Sequence, residues 1–560
     1  MKAPSARTSR SSSKKTPTKY LFVVGGVMSG VGKGITSSSI AMLLQSRGLR
    51  VTAMKIDPYI NVDAGTMNPT EHGEVFVLND GLETDQDMGN YERFLNTSIP
   101  SLNYMTTGSV YQAVIEKERN LEYKGKNVQV VPDIPNEVIA RIKKAGEAAH
   151  ADVVIIEIGG TVGEYENILF LEAIRLLKIR EPRNVGTVLV SYLPVPGSIG
   201  EMKTKPTQHA ARELNSAGVF ADIIIARAPV AIDKKRKEKI ATFCNVREEH
   251  VISAPDVASV YDVPLNFEKD QLTHHLCELL SLDCSHKADL TKWRSFATKK
   301  KNATREIKIA VVGKYFGSGD FILSDVYISV LEAIKYSSYY QGVYPKIDYI
   351  SAQDFEDGKG LFVLDNYDGV LVPGGFGETG IEGKINVIEY VRKNKIPYFG
   401  LCYGMQLMVI EYARHMAGIP GAHTKEIKPN AGDLVIDVMP DQKEKIENKQ
   451  YGGSMRLGEY KAVLKKGTIA RAAYGADVVI ERHRHRYEVN PEYIERLEQA
   501  GLIFSGTSPD NRLMEITELS KDEHPFMLGT QFHPEFLARP LSPHPLFTAF
   551  IKAAKARKDI

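Results

Sequence analysis

Cysteine is scarce in this chain. Four occur in 560 residues, at Cys244, Cys277, Cys284 and Cys402, and none forms a C-x-x-C pair. This usage argues against a disulfide framework and a zinc site and suits a reducing compartment. Long apolar runs are also missing. None approaches the roughly 18 residues that span a bilayer, and the N-terminus lacks a secretory h-region. A cytoplasmic protein with no membrane partner is expected. Neither sign of charge dominates, the formal net charge being +2. The small surplus sits in residues 1–19, where Lys2, Arg7, Arg10, Lys14, Lys15 and Lys19 meet no acid. The remainder is mildly acidic, which argues against a large nucleic-acid-binding face. The Ser- and Arg-rich start reads as a disordered basic tail over residues 1–18.

What is present is a soluble-type composition, 43% hydrophobic and 25% charged, on a chain too long for one core. Val- and Ile-rich runs at Leu21–Val24, Val51–Ile56, Val153–Ile158, Thr187–Leu193, Asp222–Ala226 and Val251–Ser253 predict buried parallel strands. Amphipathic stretches at Thr36–Gln45, Ile168–Ile179 and Gln208–Ser216 predict the helices between them. The pattern is α/β and doubly wound. It breaks over the polar, basic residues 284–306, read as a linker, and resumes with strands at Ile307–Val312, Ile347–Ser351, Gly369–Val372 and Ile396–Gly400. Two domains follow, 19–283 and 307–560. Lys428–Gln450 reads as an exposed excursion.

In the first domain Gly25-Gly26-Val27-Met28-Ser29-Gly30-Val31-Gly32-Lys33-Gly34-Ile35 joins a strand to a helix. Glycines let backbone N–H groups approach an anion, and the helix N-terminus adds partial positive charge. Lys33 can neutralise outer phosphate oxygens. The G-x-x-x-x-G-K-[ST] rule is not met, because Gly26 to Gly32 is one residue too long and Gly34 stands where a hydroxyl is usual. Asp87 and Glu157 are candidate hard-oxygen ligands for Mg2+, Glu157 standing at the C-terminal end of a buried strand.

In the second domain Gly400-Leu401-Cys402-Tyr403-Gly404 has the form of a nucleophile elbow. A helix N-terminus there favours the thiolate. The Tyr403 N–H would point at a developing oxyanion, with a second donor from Pro373-Gly374-Gly375-Phe376-Gly377. His533 can activate Cys402, and Glu535, two residues on, can hold its tautomer. A thiol that releases ammonia from an amide, on one chain with a phosphate loop, points to ammonia made in one place and used in another.

These residues resemble the class I glutamine amidotransferase domain. Lys55-Ile56-Asp57-Pro58-Tyr59-Ile60-Asn61, His72-Gly73-Glu74-Val75-Phe76-Val77, Glu157-Ile158-Gly159-Gly160-Thr161-Val162-Gly163, Lys203-Thr204-Lys205-Pro206-Thr207-Gln208-His209 and Glu481-Arg482-His483-Arg484-His485-Arg486-Tyr487-Glu488-Val489-Asn490 resemble the CTP synthase family. The resemblance runs from about Tyr20 to Ala554. It implies a P-loop-like synthetase domain joined to a glutaminase, making CTP from UTP, ATP and L-glutamine through a 4-phospho-UTP intermediate. It further implies that Gly30, Val31, Gly32, Lys33, Gly34, Ile35, Lys55, Asp256 and Val257 hold ATP, with Asp87 and Glu157 on Mg2+. Ser29, Glu164, Tyr165, Glu166, Lys203, Thr204, Lys205, Gln208 and Lys239 would hold UTP or the inhibitor CTP. Gly375, Tyr403, Gln406, Glu426 and Arg486 would hold glutamine. By the same resemblance GTP activates, and the assembly is a homotetramer that forms filaments. In Ala254-Pro255-Asp256-Val257 a proline stands where the family commonly has lysine, and Asp133 and Pro135 replace a usual histidine and threonine. The alternative reading is another ATP- and glutamine-dependent ligase with a carboxylate acceptor, against which Lys203–His209 speaks.

Overall fold

The computed structural model describes residues 17–197, 200–314, 317, 318, 321, 322, 324–375, 377–439, 442 and 453–559. The basic tail up to residue 16 and Phe376 lie outside them. The doubly wound pattern is borne out in both halves. Seven strands, β1 (Lys19–Gly25), β2 (Val51–Asp57), β3 (Tyr104–Thr106), β4 (Val153–Ile158), β5 (Val185–Tyr192), β6 (Ile223–Ala228) and β7 (Val251–Pro255), form a sheet ordered β3-β2-β4-β1-β5-β6-β7. Every neighbouring pair is parallel. Strands β1 and β4 are buried along their whole length, as a sheet with helices on both faces requires. Helix α1 (Lys33–Gln45) leaves the phosphate loop, and α2 (Gln86–Leu95) packs beside it. Helix α3 (Lys205–Ser216) covers the loop from another side: a Cβ on Gly26 would overlap the Ala210 side chain.

The main sheet of the second half has nine strands, β8 (Arg305–Gly313), β9 (Val343–Ser351), β10 (Gly369–Val372), β11 (Tyr398–Leu401), β12 (Arg456–Leu464), β13 (Val478–His485), β14 (Ile503–Thr507), β15 (Met514–Glu518) and β16 (Met527–Thr530). Their order is β9-β8-β10-β11-β16-β15-β14-β12-β13. The first five are parallel neighbours, and the rest extend the sheet antiparallel. No helix among the described residues is long and apolar enough to cross a membrane.

Two expectations are corrected, and the linker stretch proves to be partly helical. Cys277 and Cys284 form a disulfide, where none was expected. The helix Leu272–Leu280 ends at Ser281 in the left-handed region, which turns the chain back and brings Cys284 over the last turn. The polar residues 284–306 contain helix α4 (Thr291–Asn302). Its Trp293 and Phe296 are buried between the halves, the Trp293 indole N–H donating to the Tyr261 carbonyl at 2.8 Å and Phe296 meeting Tyr336 edge-on. Lys428–Gln450 is not wholly an excursion, because Asp433–Val438 is a strand paired with Ala422–Thr424 and Tyr487–Val489.

A polar clamp joins the halves beside this aromatic one. Along β13 the side chains alternate. Arg482 and Arg484 reach the first domain, while His483 and His485 face each other at 3.1 Å on the other side. Arg482 is fully buried, pairs with Glu92 of α2 at 2.9 Å and donates to the Val77 carbonyl at 3.0 Å. Arg484 pairs with Glu83 at 2.8 Å. Removing one member of a buried pair strands the other charge, at about 3–5 kcal/mol. Arg482→Ala is therefore expected to lower the calorimetric unfolding temperature by several degrees. An unchanged transition would show that Arg539, 3.5 Å from Glu92, compensates.

Candidate active sites

The nucleophile elbow follows from local sterics. Cys402 sits between β11 and helix α5 (Tyr403–His415) at φ 49°, ψ −98°, a strained conformation for a non-glycine residue. Both flanking glycines are required. A Cβ on Gly400 would lie 2.7 Å from the Tyr398 hydroxyl, and one on Gly404 would overlap the Val372 carbonyl. Gly374 is equally constrained, since its Cβ would stand 2.9 Å from the His533 ring. The glycine loop therefore lies directly against the histidine and cysteine.

His533 Nδ1 is 2.7 Å from Glu535 Oε1, and its ring stacks on Phe536 with centroids 5.1 Å apart. Its Nε2 is buried without a closed hydrogen bond among the described residues. Burial acts to lower the pKa of this imidazole, but the charges of Glu535 and Cys402 outweigh it and raise it to about 10. Gln531 donates to the Cys402 sulfur at 3.6 Å. Strand β13 touches both groups through its backbone: the His533 N–H donates to the Arg482 carbonyl at 2.8 Å, and the Cys402 thiol lies 3.7 Å from that of Arg484. The cleft here is lined by Gly375, Cys402 and His533 from the second domain and by Pro69, Glu74 and Val75 from the first. Glu74 accepts from the Ser329 amide and hydroxyl. Burial, more than the other groups around it, lifts its pKa to about 8.

Glu426 accepts from the Gly377 N–H at 2.9 Å and feels the charges of Lys314, Lys384 and Arg486. Gln406 is buried, its amide donating to the Tyr487 carbonyl at 2.8 Å. Arg486 donates to the Ser454 hydroxyl at 2.8 Å. The candidate glutamine-binding residues thus gather around the elbow.

In the first domain Gly30 and Gly32 both have positive φ, and Lys33 folds back so that its ammonium donates to the Gly160 carbonyl at 2.6 Å. The departure at Gly34 has a steric cause: a Cβ there would overlap the Asp87 carboxylate. Asp87 occupies the space a hydroxyl-bearing side chain would need. Lys55 pairs with Asp87, with Glu157 at 2.9 Å and with Asp57 at 3.7 Å, and Tyr91 donates to Glu157. Burial and then the charge of Asp87 push the Glu157 carboxyl up to about 7. Burial also raises Asp57 and Asp85. For Asp87 burial is opposed and outweighed by Lys55, which holds it below the usual range. Four acids thus crowd two lysines. That surplus of hard carboxylate oxygens fits a divalent cation bound through one or two carboxylates and substrate phosphates.

A neighbouring cavity is lined by Gly32, Ile35, Arg227, Asp256, Val257 and Phe267. The structure therefore brings the phosphate loop, Asp256 and Val257 together. The sequence reading missed Arg227, which pairs with Asp256 at 2.9 Å. A lone arginine closing the apolar strand β6 was the available signal. Pro255 ends β7 at this cavity. Asp133 accepts from the Gln129 N–H at 2.7 Å, so this departure serves as a local cap.

Another cavity is lined by Tyr59, Ile60, Thr107, Tyr111, Tyr165 and Glu166. Glu164 is exposed and turns back on its own loop instead, accepting from the Thr161 N–H at 2.9 Å and hydroxyl at 2.7 Å. The basic residues of Lys203–His209 lie on an open surface. Lys203 pairs with Glu201 at 2.6 Å, Gln208 donates to Thr204 at 3.1 Å, Lys205 stands over the Phe243 ring, and Lys239 is exposed near Glu201. Ser29 is exposed at the loop tip.

Comparison with known proteins gives two family matches, CTP synthase N-terminus over residues 19–282 and glutamine amidotransferase class-I over residues 322–553. A CTP synthase of Thermococcus gammatolerans is 51% identical over 543 residues, covering 97% of this chain and 99% of the relative. One of Halalkalibacterium halodurans is 47% identical, covering 96% and 99%. A solved Trypanosoma brucei CTPS glutaminase domain with bound acivicin is 34% identical, with a TM-score of 0.41, and covers 45% of this chain and 94% of that one.

Proposed function

This chain belongs to the CTP synthase family, an ATP-dependent and glutamine-hydrolysing ligase of pyrimidine biosynthesis, and we propose that it aminates UTP at C4 with ammonia released at Cys402. The Cys402 thiolate attacks the glutamine amide carbon, and the oxyanion that forms is held by the Tyr403 N–H and the Gly374–Gly375 loop. His533, kept in register by Glu535, gives its proton to the departing ammonia. It then takes one from the water that frees glutamate and restores Cys402. In the first domain the γ-phosphoryl group of ATP passes to O4 of UTP, giving 4-phospho-UTP and ADP. Ammonia adds at C4 and phosphate leaves with the C4–O bond electrons. The phosphorylation is needed because oxide is a poor leaving group and phosphate a good one. Lys33 and the loop amides neutralise the transferring phosphoryl oxygens. Asp87 and Glu157 would hold Mg2+, which supplies charge neutralisation on the nucleotide phosphates when bound.

The observation that carries this reading is the cleft at Cys402, walled on one side by Glu74 and Val75 of the phosphate-binding domain. Ammonia released there enters the protein interior, where it stays neutral and at high effective concentration. The open basic surface of Lys203, Lys205, Gln208 and Lys239 suits a triphosphate site completed by another copy, in keeping with a cytoplasmic homotetramer that forms filaments. GTP is its activator. The test is absorbance-monitored CTP formation from UTP, ATP and glutamine. Product formation on a carboxylate acceptor, with UTP inert, would replace this function with the alternative ligase.

CTP inhibits by sharing the triphosphate grip with UTP but not the base pocket. UTP has an acceptor oxygen at position 4 and CTP a donor amine, so a carboxylate favours CTP. Glu166, lining the cavity, is that carboxylate, since Glu164 is held by Thr161. Glu166→Ala is expected to weaken CTP binding by roughly 1.5–3 kcal/mol, about tenfold to a hundredfold, with little change in the UTP Michaelis constant. Glu164→Ala should raise both constants together. If the two constants also rise in step for Glu166→Ala, the discrimination lies elsewhere.

A further inference from the structure

Two polar groups reach the Cys402 sulfur, and they act in opposite senses. The Arg484 carbonyl, 3.7 Å away, can only accept, so it favours the protonated thiol. The Gln531 amide, 3.6 Å away, donates, so it favours the thiolate. Weak toward a neutral thiol, that N–H···S bond becomes charge-assisted once the proton has left. The direction of the Gln531 amide is fixed by a chain of polar groups leading away from the elbow. Gln531, Gln406 and His485 are all buried. The chain starts at the Tyr487 carbonyl, which has no hydrogen to give. Gln406, one turn after Cys402 on α5, must therefore turn its NH2 group to that carbonyl, at 2.8 Å. The same NH2 group lies 3.2 Å from Gln531 Oε1. Gln531 thus presents oxygen to Gln406 and N–H to sulfur. Reversing Gln406 would set oxygen against oxygen, and reversing Gln531 would set NH2 against NH2. His485 Nδ1 meets the same carbonyl at 3.0 Å. The Gln531 backbone is pinned as well, its N–H donating to the Glu515 carbonyl at 2.8 Å.

We propose that Gln531 is a further catalytic residue of glutamine hydrolysis, a buried amide that donates to the Cys402 sulfur and stabilises its thiolate, and that Gln406 is the positioning residue that aims it. This rests on the reading of Cys402 as the nucleophile. As the thiol proton passes to His533, the Arg484 carbonyl loses the hydrogen it accepted and the Gln531 N–H meets the charge left on sulfur. When sulfur then bonds to the amide carbon, the charge moves to the oxyanion and out of reach of Gln531. A side chain that merely filled this space would need no amide. An apolar one of the same length would fill it equally well, without a buried NH2 and oxygen to be satisfied.

The test is alkylation of Cys402 by iodoacetamide across the pH range, without glutamine, the modified residue being identified by mass spectrometry. His533, Glu535 and Glu74, the titrating groups that share the cleft, are the same in every variant. Gln531→Met keeps length and bulk but removes the donor. Its alkylation profile is expected to move about one pH unit upward. Its plateau should be no lower than that of the unsubstituted protein, because a less stabilised thiolate is the stronger nucleophile. Gln531→Ala should move the profile as far. Gln406→Met should move it part of the way and add almost nothing in the Gln531→Met background. Ammonium-driven CTP synthesis reports that the fold is intact. If the profile of Gln531→Met stays in place while that of Gln531→Ala moves, Gln531 is a packing residue and the proposal is overturned. Additive displacements in the double variant would overturn the aiming by Gln406. Glutaminase activity that survives Cys402→Ala would instead fail the reading of the nucleophile. Activity lost there, with an unmoved Gln531→Met profile, would fail this proposal alone.

Discussion

Cys402→Ala is expected to abolish glutamine-dependent CTP synthesis while ammonium salt still drives it at a normal rate. On the proposed function the sulfur serves only the release of ammonia. Its loss removes the attacking atom, and water cannot substitute at the buried elbow, so the glutamine-driven rate should fall about 10⁴-fold or more. The fold should tolerate the change. Alanine keeps the Cβ, and the sulfur's own hydrogen bonds are weak, 3.6 Å from the Gln531 amide and 3.7 Å from the Arg484 carbonyl. The strain of φ 49° is the same for either residue. The pocket around Glu426 and Arg486 is untouched, so glutamine should still bind. The measurement is CTP formation with each nitrogen source on the same preparation. Equal loss with both, in a protein of unchanged melting temperature, would sink the division into two sites.

What the sequence made legible was whatever depends on local pattern. Buried parallel strands read as Val–Ile runs because both faces of the sheet are covered. The elbow read as glycines around a cysteine because each glycine avoids a specific overlap. What stayed hidden depends on distant partners. Gly34 broke the phosphate-loop rule, and only the position of Asp87, far along the chain, explains it. The alternating arginines and histidines of β13 could be read as a strand with two faces. Which face meets the other domain could not, because Glu92 and Glu83 lie about 400 residues away. The cysteine pairing was misread for a similar reason. Cys277 and Cys284 are seven residues apart, and only the reversal at Ser281 brings them together.

Lys33→Ala should have the opposite signature, losing CTP synthesis with glutamine and with ammonium alike while basal glutaminase survives. On the proposed function UTP must be phosphorylated whatever supplies the nitrogen, and charge on the transferring phosphoryl group is what the lysine would stabilise. Loss of such a group costs about 10²–10³ in rate when one electrostatic donor is removed, and more where several phosphate oxygens share it. Lys33 is well placed for the role. It is only 8% exposed, opens the first turn of α1 and, with its Nζ on the Gly160 carbonyl, lies over the loop glycines rather than out in water. Burial lowers its pKa first, and Glu157, Asp87 and Glu164 pull it back against the repulsion of Lys55. Phosphates arriving there add to the groups that favour its charge. Removing it leaves Glu157, Asp57, Asp85 and Asp87 facing Lys55 alone, so some loss of stability is expected, and glutaminase activity is the control that the rest of the chain is intact. That activity should stay within a few-fold of normal, because Cys402, His533 and Glu535 stand on the sheet of the other domain. Near-normal ammonium-driven synthesis in the variant would remove Lys33 from the nucleotide site. Loss of glutaminase along with synthesis would instead mean that the acid cluster, through Asp87 and Glu92 on the same helix α2, governs the elbow as well.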